Sequence, residues 1–418
     1  MTKLAGRASD SVTGIAEAVR SFYERHPYPG PVEEFGGAQA EGRAERERLS
    51  EHHLFWPSKP FRADRTILIA GCGTIQAARH ARQWPRSRVV GIDVSEASIR
   101  ETATLKEKYG LANLELRHLA VEEAGQLGES FDQIVCTGVL HHLPEPEAGL
   151  NALREVLAPR GAMHLMVYAP YGRAGIYLLQ EYGRLLGLGT TSAEIRDLVA
   201  ALKMLPKGHP LWPLLRNSPD FRYDAGLADA LLHPRDRPYS VPQLLALIER
   251  SGLRFGRWLR QAPYLPSCGA ASATPHYPRM ARLDIAQQCA AMELYRGTML
   301  RHSAILYRDD DAGDGWAIDF DGSSWPGYVP IRLPETICVE ERLPVGKAGV
   351  LINPHHTDAD IYLPITAAEK KLVDAIDGKL SIAALTAGEA TPASGADLFK
   401  RLWKFDQIVV DTSRAHTS

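Results

Sequence analysis

RTILIAGCGT, residues 65–74, is a short apolar run that stops at two closely spaced glycines. A helical pattern, IQAARHARQ (75–83), follows it, and then a second apolar run, SRVVGIDV (87–94), which carries an acid near its end. Gly73 and Asp93 lie 20 residues apart. Strand, Gly-rich turn, helix, strand and acid at that spacing are the parts of a nucleotide-binding βαβ unit. There the glycines let backbone approach a ligand, and the acid accepts ribose hydroxyls. Outward from this unit the alternation continues. SEASIRETATLKEKYG (95–110) opens on a Ser cap and closes on a glycine, as helices do. LELRHL (114–119), FDQIVCTG (131–138) and GAMHLMVYA (161–169) read as further strands, with the helix EPEAGLNALREVL before the last. The pattern predicts an α/β fold with a doubly wound, mostly parallel sheet.

Two plainer readings stay open for the motif. Gly71–Gly73 can be a tight strand-to-helix turn, and Asp93 a cap for the helix that begins near Ser95. A dinucleotide enzyme would carry GxGxxG, whereas this run is AGCGTIQAA, without the third glycine.

Four pieces in order, LIAGCGT, GIDVS, FDQIVCTGVLHHL and LREVLAPRGAMHLMVY, resemble the successive motifs of class I S-adenosylmethionine-dependent methyltransferases over about residues 60–170. FYERHPYPG, and later ALLHPRDRPYSVPQLLALIERSGLRF, resemble a bacterial branch of that family. The resemblance implies a seven-stranded Rossmann-like sheet, a helical insert after the fifth strand, and S-adenosyl-L-methionine as cofactor. It implies that Gly71, Cys72 and Gly73 pass the methionine and ribose moieties and that Asp93 holds the ribose hydroxyls. Val94, Ser95, Ala120 and Val121 would flank the adenine, and Thr137, Gly138 and Val139 the transferable methyl. Ile75 stands where the family has its third glycine. Ala120 stands where an acid is usual, with Glu122 or Glu123 as substitutes.

Tyr23, His141 and Tyr168 are the candidate catalytic residues, because strand ends of open α/β sheets carry ligand sites. His26, Tyr28, His142, His233 and Arg237, with Arg235 beside it, are candidate acceptor contacts. The prolines of FYERHPYPG suit a lid over the cofactor. The acceptor, peptide, protein or small molecule, is left open. Two other readings are a non-catalytic scaffold on a degenerate fold and an NAD(P)-dependent oxidoreductase.

Composition bounds the rest. Of 418 residues, 48 are Lys or Arg and 50 are Asp or Glu, so no overall basic field calls for DNA. Five scattered cysteines form no CxxC pair, so neither a disulfide framework nor a metal site is expected. The opening stretch lacks the apolar core of a signal peptide, and no apolar run reaches about 18 residues, so a cytoplasmic protein without a membrane partner is expected. The expected domains are a lead-in and lid (1–60), the methyltransferase domain (61–308) with its insert at about 171–250, a linker and β segment (309–345) and a C-terminal module (346–418), with short β-like runs over 330–360. ITAAEKKLVDAIDGKLSIAALTAG and DLFKRLWKFDQIVV in that module resemble a small winged helix, a form that can grip a peptide or make a homodimer.

Overall fold

The computed structural model describes residues 12–29, 41–311, 317–387 and 392–413. Its contacts divide the chain into two compact units. The first takes the described parts of Met1–Gly36, Asp64–Phe255 and Gly297–Asp309, and the second those of Gly37–Ala63, Gly256–Arg296 and Asp310–Ser418.

The main sheet has seven strands among the described residues: β1 (Thr66–Ala70), β2 (Arg88–Asp93), β3 (Leu114–His118), β4 (Phe131–Thr137), β5 (Leu157–Tyr168), β6 (Leu253–Trp258) and β7 (Arg301–Arg308). Their order is β3-β2-β1-β4-β5-β7-β6. β1 pairs in parallel with β2 and β4, β2 with β3, and β4 with β5, whereas β7 runs antiparallel to β5. In β1, Ile67, Leu68, Ile69 and Ala70 are all fully buried. That is the unbroken apolar run expected of a central strand covered on both faces. The order reverses between β1 and β4, and their C-terminal ends open the crevice where such sheets bind ligands.

Local chemistry sets the helices around it. Ser95 caps the helix Glu96–Tyr109 by accepting Ser98 N–H, and Gly110 ends it at φ +61°. Ile75, in the place of a family glycine, is buried with Ile69, Ala78 and Trp84 in the core beside β1. Five helices, Ala174–Leu186, Ser192–Lys203, Trp212–Asn217, Asp224–Leu232 and Val241–Arg250, fill the insert between β5 and β6. Leu179, Leu198, Leu211 and Leu227 belong to a core of the insert's own.

The second unit corrects the expected boundaries. β8 (Val329–Arg332), in the expected linker and β segment, pairs antiparallel with β12 (Ile408–Asp411), so that segment belongs to the C-terminal body. β9 (Ile337–Val339), β10 (Gly349–Ile352) and β11 (Leu363–Ile365) form a second antiparallel sheet. Ala262 and Cys268, expected in the methyltransferase domain, lie in one core with Leu351, Leu398 and Phe399. The buried Asp406 carboxylate explains part of this. It accepts Ala262 N–H at 2.9 Å and pairs with Arg257 at 3.3 Å and His356 at 3.1 Å, so a charge that would be costly alone is compensated. The two helices expected around DGK are present as Ala367–Asp374 and Ile382–Leu385, followed by Pro392–Lys404.

Candidate functional site

β1 runs straight into the glycine turn. Gly71 and Gly73 have φ of +71° and +53°, a region costly for other residues. Space is limiting too. A Cβ on Gly71 would meet Val139 Cγ2 at 2.2 Å, and one on Gly73 would meet the Tyr28 carbonyl oxygen at 2.7 Å. Gly71 and Cys72 both donate their N–H to the Ile92 carbonyl, at 2.9 Å each, which ties the turn to β2.

Asp93 then orients the crevice. Its Oδ2 accepts Gly73 N–H at 2.8 Å and its Oδ1 accepts Ser95 N–H at 2.9 Å. Each oxygen keeps a second lone pair for a further donor. Burial pushes the Asp93 carboxyl pKa up, against those two hydrogen bonds. The ribose role expected of Asp93 fits this arrangement. The capping role is filled instead by Ser95, whose Oγ also donates to the Tyr23 carbonyl at 3.3 Å.

The flanks of the crevice are mixed. The Val94 carbonyl is bonded to His118 Nε2 at 2.9 Å. Ala120 precedes a 3₁₀ turn, Val121–Leu127, in which burial raises the Glu122 pKa. Thr137 Oγ1 accepts from Gln76 Nε2 at 2.7 Å, and Gly138 sits at φ +79°, where a Cβ would meet Met166 Cε at an ordinary contact distance of 3.8 Å. Cys72 is buried, and burial with Asp93 nearby raises its thiol pKa, so it is packing rather than a nucleophile. The crevice thus offers turn backbone and an oriented carboxylate, a set that fits S-adenosylmethionine.

Beyond the ends of β4 and β5 lies a buried polar cluster. Tyr23, on the helix Val12–Arg25, donates to Asp229 Oδ1 at 3.0 Å. The His141 ring centroid is 4.0 Å from that of Tyr168, whose face also carries the Arg173 guanidinium at 3.5 Å. His142 and His233 overlap at 3.8 Å. Arg173 and Gln180 both donate to Asp236 Oδ2, at 3.3 and 3.1 Å. Burial is the largest influence on each shifted group. It lowers the pKa of His141 and His233 and raises that of Asp229 and Tyr23.

Of the residues chosen from sequence, Tyr23, His141, His142, Tyr168 and His233 come together here. His26 packs on Phe22 at 5.3 Å, and the Tyr28 carbonyl crosses Gly73. Arg235 is a clamp: its guanidinium donates to the Leu143 and Pro144 carbonyls at 3.0 and 3.1 Å. Arg237 lies over the Tyr239 ring at 5.5 Å. Asp229, Asp236, Arg173, Gln180 and Glu24 were not singled out from sequence. Glu24 accepts the Glu96 and Ala97 N–H groups at the start of the Glu96–Tyr109 helix. One signal was available for Asp229: a second acid, after Asp224 at the start, within the otherwise apolar helix DAGLADALL.

Residues 68–163 match the family model of a methyltransferase domain. An uncharacterized protein of Synechococcus sp. is 33% identical over 255 residues, covering 59% of this chain and 60% of that protein. A tRNA U34 carboxymethyltransferase of Desulfotalea psychrophila is 34% identical over 155 residues, or 36% of this chain and 46% of that enzyme. A ubiquinone biosynthesis O-methyltransferase of Acinetobacter baylyi is 32% identical over 101 residues, 24% and 42% of the two chains. The matches thus span about two fifths to three fifths of these curated relatives. PKMT2 from Rickettsia typhi has a similar fold, with a TM-score of 0.61 at 15% identity over 90% of this chain and 78% of that one. The glycine turn, Asp93 and strands β2 to β4 sit within residues 68–163, so that stretch of the chain is a methyltransferase domain.

Proposed function

We propose that the chain binds S-adenosylmethionine in the β1–β4 crevice and methylates an acceptor that enters toward the Tyr23–His141–Tyr168 cluster. The observation that carries this reading is the Asp93 carboxylate, fixed by two backbone N–H groups beside a glycine turn too tight for a Cβ. When bound, the cofactor supplies a methyl already activated on a sulfonium. The protein's part is alignment and exclusion of water. Asp93 would hold the ribose, the turn would accept the chain of the methionine moiety, and Gly138 would border the methyl. Tyr168 and His141 form the wall on the acceptor side.

The oxidoreductase reading has lost ground. The missing third glycine is the core residue Ile75, and β7 is antiparallel, unlike the all-parallel dinucleotide sheet. The scaffold reading keeps one support, Ala120 in place of an acid. Incubating the protein and a cell lysate with methyl-labelled S-adenosylmethionine tests the proposal. A labelled species gaining about 14 Da, one methylene, supports it. No enzyme-dependent label in protein, peptide or small-molecule fractions favours the scaffold. Among the described residues, no helix is long and apolar enough to cross a membrane.

A further inference from the structure

Five buried polar atoms beyond the ends of β4 and β5 have no hydrogen-bond partner: both ring nitrogens of His141, Nε2 of His142, Nε2 of His233 and Oδ1 of Asp236. His141, His142 and His233 are exposed by only 0%, 2% and 7%, and the Asp236 side chain by 0%. Such atoms in native proteins ordinarily have a partner, so this many in one place call for an occupant. Two sets of three groups each lie with their ligand atoms within 4.8 Å of one another. One is His141, His142 and Asp236, and the other is His142, Asp229 and His233.

Tautomers choose between the sets. Arg235 is the pivot. Its carbonyl oxygen is bonded to His142 Nδ1 at 2.6 Å, so Nδ1 must donate. The His142 Nε2 lone pair is therefore free, as in a metal-ligating histidine whose other nitrogen is held by a carbonyl. The Arg235 N–H donates to His233 Nδ1 at 3.1 Å, so Nδ1 accepts. The neutral His233 ring then carries its proton on Nε2, and that atom faces the site as a donor rather than a ligand. In the same region Asp229 Oδ1 is taken by the Tyr23 hydroxyl. Asp236 resembles His142: Arg173 and Gln180 fix its Oδ2 and leave Oδ1 open.

We propose that His141, His142 and Asp236 hold a divalent transition-metal ion, with His142 Nε2 and Asp236 Oδ1 as preset ligands and a His141 ring nitrogen as the third. Two imidazoles and one carboxylate suit zinc, iron, cobalt or nickel better than magnesium or calcium. Ligands about 2.0–2.1 Å from a tetrahedral ion stand about 3.3 Å apart, so ring and carboxylate rotations must draw the widest pair together by up to about 1.5 Å. Three protein ligands leave a position for water or an acceptor oxygen. The inference does not rest on the methyl-transfer reading.

The test is calorimetric titration of Zn²⁺ into the untagged, chelator-stripped full chain. The expected result is one tight equivalent in the wild type, weakened at least tenfold in both His142→Gln and Asp236→Asn. It should be unchanged within about threefold in His233→Gln and in His276→Gln, which lies on the surface. Wild-type protein without a tight equivalent overturns the proposal, as does an equivalent that survives both ligand substitutions or that His233→Gln removes as completely. The wild-type titration decides even if a variant fails to fold. S-adenosylmethionine titrated into the same stripped protein separates a missing metal site from a missing cofactor site.

Discussion

Asparagine at position 93 keeps the shape of the side chain and removes its charge. In the wild type the carboxylate accepts from Gly73 at 2.8 Å and from Ser95 at 2.9 Å. An amide offers one oxygen, so one of the two N–H groups would face an NH₂. Losing one hydrogen bond to a charged acceptor costs about 1.5–3 kcal/mol. The buried charge itself opposes folding, which offsets part of that loss. Because burial raises the Asp93 pKa, the folded state holds its proton more tightly than the unfolded one. Its contribution therefore falls as pH rises from the ordinary value of 3.8 through the raised folded one. Net destabilisation of Asp93→Asn at pH 7 should stay below about 2 kcal/mol, by urea denaturation. Cofactor affinity should suffer more visibly. Ribose hydroxyls deprived of a charged acceptor lose about 1.5–3 kcal/mol, roughly 10- to 150-fold in Kd. Calorimetry with S-adenosylhomocysteine reads this directly. A folded Asp93→Asn protein that binds within twofold of wild type refutes the ribose assignment.

Tyr23→Phe removes the hydroxyl that Asp229 accepts, and thermal melting should show a loss of about 1–3 kcal/mol; an unchanged Tm would mean that the bond contributes nothing. Gly73→Ala should cost at least about 1–2 kcal/mol, from its positive φ and the approach of the Tyr28 carbonyl, and unchanged stability would show that the turn relaxes freely. Ile75→Ala should cost about 2–5 kcal/mol as a core truncation, whereas a neutral result would return position 75 to the cofactor turn. His141 and His233 have pKa values depressed by burial, so the unfolded chain binds more protons below the ordinary value of 6.5. Stability should therefore fall as pH drops from about 6.5 toward 5, and a flat Tm over that range contradicts the burial of these rings.

The parallel half of the sheet was legible because central strands are continuous apolar runs and each helix between them carries its own start or stop signal. Ser95 and Gly110 bracket one such helix. The sequence break near 309 coincides with the end of the first unit, whereas the membership of Gly37–Ala63 and Gly256–Arg296 in the second unit was not legible, because it rests on long-range pairing. Nothing in VPIR reports that it will pair with IVVD near residue 408, or that Asp406 will draw in Ala262. The approach of Asp93 to the glycine turn was readable from the 20-residue spacing of Gly73 and Asp93. The polar cluster was readable only through its aromatic and histidine members. Asp229 and Asp236 lie in an insert whose sequence looks like ordinary helix and loop, and only the fold brings them beside His142. The expected lid extends through 30–37, where positions 30–40 lie outside the described residues. What is described of the lead-in is anchored, by Tyr23 to Asp229 and by Glu24 to the next helix.

The central claim is that the Asp93 crevice is a cofactor site, and its most direct measurement is titration of S-adenosylmethionine into the purified full chain, followed by competition with S-adenosylhomocysteine. The account predicts one saturable equivalent, displaced by the product analogue and not by NADH. An absence of binding heat in folded protein across a range of temperatures, or displacement by NADH instead, would contradict it.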